Sequence, residues 1–211
     1  MFLKTMFVAG AILVGSQGAY AQFGMPSIPG VTGGGGGAST ANAADTLKNA
    51  NIALNQFIKA EFKMAEALGQ YVKNAETEAL LKKIGKGDLA DSDEDVKAKV
   101  AVQETLKANV DKGIEENKKL DPAQKKLFAE GALEYFKGLL ASKKLVDSLQ
   151  SLAKNPMAIS PSSLGPLTTM AGNLPGVVKS AASSSGTLIS YMTTQGLPVD
   201  GEKKLMAQMD K

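Results

Sequence analysis

The chain of 211 residues contains no cysteine, no histidine, no tryptophan and no arginine, so every one of its 24 basic residues is lysine. Without cysteine there can be no disulfide, no thiolate nucleophile and no thiol-linked lipid, and stability has to come from packing. With histidine also missing, most zinc, copper and haem ligand sets and the histidine-based triads are excluded, and neither a metal nor a cofactor is expected. The lack of arginine, with aromatics at only 5% of the chain, removes both the bidentate grip on phosphate and guanine and the stacking platform for bases. No nucleic acid is expected as a partner. What survives of the catalytic alphabet is Asp, Glu, Ser, Thr, Lys and Tyr, enough for a carboxylate pair or a Ser-Lys dyad and little else.

The amino-terminal residues carry the most specific pattern. Lys4 precedes an apolar run at residues 6–15, and Ala19-Tyr20-Ala21 forms a small-x-small site before Gln22. This is the layout of a cleaved export signal, because about ten apolar residues are too few to span a bilayer that needs about 20. The expected organisation is a cleaved signal peptide at 1–21, a flexible glycine-rich linker at 22–43 and a single helical-bundle domain at 44–211. The expected location is periplasmic or secreted, with no transmembrane span after cleavage. Loss of Lys4 leaves 23 lysines against 21 acidic residues, so the exported part is close to neutral and its basic character is slight. The glycine run at 33–37 is not followed by Gly-Lys-Ser/Thr and reads as linker rather than phosphate loop.

Apolar residues at three- and four-residue steps, from Leu47 through Leu54, Phe57, Met64 and Tyr71, predict one helix of about 40 residues over 45–84. Gly85-Lys86-Gly87 reads as its stop. Asp91, Asp93 and Asp95 have the start of a calcium-loop spacing, but Val96 and Val102 stand where glycine and glutamate are required. Ser92 as the N-cap of a second helix, with the acids on its positive end, is the better account. That helix extends through Val96, Val100, Leu106, Val110, Ile114 and Leu120. Asp121, Pro122 and Gln124 then spell cap, first turn and capping-box partner for a third, which ends near Asn155-Pro156.

Between Lys154 and Asp200 the only charged residue is Lys179. Apolar residues are too frequent there for a disordered tail, and the pattern predicts a pair of helices over 162–173 and 175–194 with small residues at their contacts. A last amphipathic piece at 201–209 fits either a docking helix or a frayed end.

Few residues stand out chemically. Glu61 occupies an apolar step of the first helix, and is expected to pair with a lysine or reach the edge; the sharper alternative is a buried acid of raised pKa. Lys179 and Ser183 are four apart, a spacing that would suit a Ser-Lys pair only if the lysine were desolvated. Glu76 with Glu78, and Glu115 with Glu116, read as solvated surface. The aromatic and methionine stripe (Phe57, Phe62, Met64, Tyr71, Phe128, Tyr135, Phe136) reads as core rather than as a ligand groove.

The fold class is therefore all-α: an elongated antiparallel helical bundle of three long helices plus a small-residue-rich carboxy-terminal helix pair. The leading functional expectation is an exported, non-enzymatic binding or scaffold protein of the cell envelope, touching a protein partner through the charge-poor segment. Leu164, Leu167, Met170, Leu188, Tyr191 and Met192 form the candidate interaction surface. The alternatives are a carrier of lipid or another hydrophobic small molecule, with the same segment closing a cavity between the long helices, and a hydrolase built on carboxylates or a Ser-Lys pair.

Overall fold

A computed structural model describes residues 40–88, 90, 92–155, 157 and 159–209. The expected signal peptide, nearly all of the linker, Asp91 and Pro156 lie outside the described residues. Among the described residues there are six helices: α1 (Thr40–Ala67), α2 (Ala75–Gly85), α3 (Asp93–Glu115), α4 (Pro122–Ala153), α5 (Pro161–Thr194) and α6 (Asp200–Met209). Among the described residues there is no strand, and the chain is an all-α helical bundle.

The single helix expected over 45–84 is two. Gly69 takes φ +65°, and the Gln70 N–H reaches back to the carbonyl of Ala65 while Gly69 N–H bonds that of Glu66. This closes α1 with a left-handed glycine cap. Asn74 then starts α2, its side chain accepting from Thr77 N–H at 2.7 Å. The apolar stepping continued across both signals and hid them.

The other helix starts follow the local code. Ser92 Oγ accepts from Asp95 N–H at 3.1 Å, and Asp121 and Gln124 form a reciprocal capping box at 2.9 Å in each direction. At its far end α3 stops at Glu116, because Asn117 adopts φ 47°. Leu120 is thus in the connection, with its N–H donating to Gln195 Oε1 at 3.1 Å.

Side-chain pairings fix the directions. Gly131 and Gly138 of α4 face residues 60–64 and 53–56 of α1, and Tyr135 and Phe128 meet Ala181 and Tyr191 of α5. α4 therefore runs antiparallel to both neighbours. In contrast Asn55 and Glu61 of α1, and Leu68 just past its end, meet Asp88, Gln103 and Gly113 in order, so α3 lies parallel to α1. Gly165 beside Asp93, and Tyr191 bonded to the Lys118 carbonyl, make α5 parallel to α3. α2 and its connections carry the chain back between α1 and α3. The four long helices form a square with α3 and α4 at opposite corners, since α1 and α5 each contact both while α3 and α4 barely touch.

The expected carboxy-terminal pair is one continuous helix. Pro166 and Pro175 both lie inside α5, each deleting one backbone hydrogen bond. Leu167, Met170 and Leu174 are fully buried around them, and this packing holds the helix through the missing bonds. α6 docks on α4 through Leu205, Met206 and Met209, and Lys143 Nζ donates to the Met209 carbonyl. The core centres on Phe57, Phe128 and Phe136, with Tyr135 edge-on to Phe57 at 5.4 Å and to Phe136 at 5.9 Å.

Candidate functional site

The sequence-derived surface does not face solvent. Leu167, Met170, Leu188, Tyr191 and Met192 are buried and Leu164 is half-buried against the core. The reason is the continuity of α5, which turns its entire apolar stripe inward against α1, α3 and α4. Tyr191 also donates to the Lys118 carbonyl, and burial lifts its phenol to about 12. The face that α5 does expose is built from Ser, Thr, Gly and Ala, with Lys179 as the charge upon it.

Neither residue of the imagined Ser-Lys pair is set up for catalysis. Lys179 and Ser183 are exposed, and the Ser183 hydroxyl donates to the Lys179 backbone carbonyl at 2.9 Å. Glu76, Glu78, Glu115 and Glu116 are likewise exposed.

Glu61 behaves differently from the expectation that it pairs with a lysine or reaches the edge. It is 1% exposed, and both its oxygens accept from Gln103 Nε2, at 2.8 and 3.1 Å. The lysine nearest in charge, Lys107, is salt-bridged to Asp111 one turn along α3. Burial pushes the Glu61 carboxyl well above the usual carboxylate range; the Gln103 hydrogen bond and the Lys107 charge oppose this, and Asp111 adds to it. Tyr135 is raised too, mainly by burial and secondarily by the charges of Glu61 and Asp111. Its hydroxyl donates to the Ala181 carbonyl at 3.2 Å, tying α4 to α5.

Glu61 lines a cavity of about 250 Å³ where all four long helices meet. α1 contributes Glu61 and Met64, and α4 contributes Tyr135. α3 adds Lys107, Val110, Asp111, Ile114 and Glu115, while Ser183, Ser184, Thr187 and Leu188 come from α5. Exposed Glu115, Ser183 and Thr187 place its mouth between α3 and α5. The arrangement combines apolar walls, a few convergent polar groups and one buried acid, the usual make-up of a small-molecule site. Of the six residues of the sequence-derived interaction surface only Leu188 lies on it, while Glu61, Met64, Glu115, Tyr135 and Ser183, singled out in the sequence on other grounds, line it as well.

Gln103, Lys107 and Asp111 were missed by sequence reasoning. Gln103 did carry a signal, since it stands between Val100 and Leu106 on the apolar stepping of α3 just as Glu61 does on α1. Two polar residues in apolar register on helices that pack together could have been matched.

A second, wider groove of about 840 Å³ lies between α1, α2 and α4. Phe62 and Tyr71 pack edge-on at 4.9 Å within it. It is on the α2 side of the fold, lined by no residue of α5. Among the described residues no cluster of acids is arranged to hold a metal ion, and no helix is long and apolar enough to cross a membrane. No family model, no curated protein and no solved structure matches the chain.

Proposed function

We propose that this chain is an exported, non-enzymatic binding protein of the cell envelope that holds a small ligand in the cavity closed by α5. The observation that carries this is Glu61: a carboxyl group buried at the junction of four helices, bonded to Gln103 and among the residues that line the cavity. Burying such an acid costs stability, and replacing Glu61 and Gln103 together by well-packed apolar residues is the kind of change that is often neutral or stabilising. A protein that keeps it gains something else. The Ala19-Tyr20-Ala21 site and the apolar run before it support export. The reading as a binder rather than a Ser-Lys hydrolase is supported by the exposure of Lys179, which leaves it solvated, and by the Ser183 hydroxyl, which donates to the Lys179 backbone carbonyl.

The volume restricts the ligand. At about 250 Å³ the cavity falls under the roughly 300–1,000 Å³ of drug-sized pockets, so a small molecule fits and a long acyl chain does not. Native mass spectrometry of protein purified from its own source should show a bound mass that disappears in a Leu188→Trp variant. A uniformly ligand-free spectrum under gentle conditions would overturn the reading.

A protein partner on the outer face of α5 is the second reading, favoured by three glycines. A Cβ added at Gly172, Gly176 or Gly186 would meet nothing within 4 Å, so the fold itself makes no use of their smallness. Photo-crosslinkers placed at Ser180 and Ser190 should then give one discrete adduct in intact cells. A ladder identical to that from exposed Lys144 would dismiss it.

A further inference from the structure

Resting on the small-ligand reading, we propose that the occupant is a small organic cation, a primary amine whose ammonium pairs with Glu61 and whose hydrocarbon part packs on Met64, Val110, Ile114 and Leu188. The charges lining the cavity select this class. Glu61 comes from α1, and Lys107, Asp111 and Glu115 from α3, while Tyr135 of α4 and the hydroxyls of α5 carry no charge at neutral pH. Lys107 is the one cation of that set, and it is already engaged by Asp111. The lining is net negative whichever protonation state Glu61 takes, so a carboxylate or phosphate ligand would meet like charge.

The deep end favours an ammonium over a neutral polar head. Among the described residues Gln103 Nε2 is the donor bonded to Glu61, and a carboxylate with one donor keeps acceptor capacity for a second. The Tyr135 hydroxyl hydrogen is committed to the Ala181 carbonyl, so toward a ligand its oxygen has only acceptor capacity to offer. Two acceptors at the closed end and aliphatic side chains around them match R–NH3+. At about 30 Å³ per water, the cavity volume of about 250 Å³ corresponds to a molecule of about eight non-hydrogen atoms. An ammonium favours the carboxylate form of Glu61, and any proton given up as that form is taken goes to solvent; affinity therefore rises with pH until the amine itself deprotonates.

Three near-isosteric probes test this: benzylamine, benzyl alcohol and benzoate, titrated calorimetrically at neutral pH and followed by the methyl resonances of Val110, Ile114 and Leu188. Benzylamine should bind about tenfold or more tighter than benzyl alcohol, the difference a charge-assisted contact makes, and benzoate should not bind. Glu61→Gln should bring benzylamine down to the level of benzyl alcohol. That variant is expected to fold, because stability linked to Glu61 is present at low pH and lost as pH rises through its raised pKa, a loss glutamine does not suffer. Should it not fold, Asp111→Asn supplies the same test, lowering benzylamine affinity several-fold and leaving benzyl alcohol unchanged. Equal binding of benzylamine and benzyl alcohol, or undiminished benzylamine binding in these variants, overturns the cation assignment while leaving a ligand cavity. No shift of the three methyl groups with any probe overturns both.

Discussion

α4 and α5 have nearly the same length, 32 and 34 residues, and both pack against α1, yet they are helical for opposite reasons. α4 opens with a full capping box and Pro122 at its first turn, and it carries lysines and acids on its outer face. Its own residues specify it. α5 starts at Ser160 with no side-chain cap, contains Pro166 and Pro175, and exposes Gly172, Gly176 and Gly186. Each exposed interior glycine costs roughly 0.8–1 kcal/mol relative to alanine, and interior proline costs more. Its helical state depends on the burial of Leu167, Met170, Leu174, Leu188 and Met192. The wall that closes the Glu61 cavity is therefore the least self-sufficient of the four, which is where a binding site needs its movable part.

The largest effect should come from the frame. Phe136 is fully buried in α4, and Phe136→Ala should lower unfolding free energy by about 3–5 kcal/mol, with urea denaturation still a single transition by circular dichroism. A loss under about 1 kcal/mol would mean that α4 is not the frame. Next comes the α1–α4 seam. A Cβ on Gly131 would sit 2.8 Å from the Ala60 carbonyl oxygen and 2.9 Å from Met64 Cγ. Gly131→Ala should cost about 1–3 kcal/mol in the same assay, since backbone cannot move aside as a side chain can.

The contrast between these helices was only half legible in the sequence. Ser92, Asp121, Pro122 and Gln124 act locally, through atoms three residues away, and their positions were read correctly. Gly69 and Asn74 act just as locally, but apolar residues at helical spacing on both sides masked them. α5 failed for a different reason: whether Pro175 ends a helix depends on what Leu174 and Val177 are packed against, which is a tertiary fact. The site was legible as Glu61 alone. Its partners lie on three other helices, and Gln103 is 42 residues away in sequence, so only the parallel placement of α3 brings them together. Charge-poor composition marked α5 as special and was silent on which way its stripe would turn.

The caps give a smaller, sharper comparison. Asp121→Ala removes a side chain that bonds Gln124 N–H at 2.9 Å and should cost about 1 kcal/mol. Ser160 makes no cap bond, its hydroxyl meeting Ser163 Oγ at 2.9 Å instead. Ser160→Ala should therefore stay within about 0.5 kcal/mol of the parent. Equal losses at the two positions would erase the distinction between a helix specified locally and one imposed by packing.

The smallest effect should also have the opposite sign. Gly186 lies mid-helix in α5 with nothing within 4 Å of an added Cβ, so Gly186→Ala meets no obstacle of the kind present at Gly131. Alanine there should raise stability by about 0.5–1 kcal/mol through helix propensity alone. Because that gain sits in α5, amide hydrogen exchange should slow around Thr187 and Ser190 and stay unchanged in the centre of α4. The same methyl group stiffens the wall beside Ser183 and Thr187 at the cavity mouth, so a ligand that enters by displacing α5 should associate more slowly with the variant, without a matching change in its final contacts. Slower association with an unchanged α4 would tie the weakness of α5 to access. A stabilised helix with unaltered association would show that the cavity fills through its mouth, with α5 staying in place.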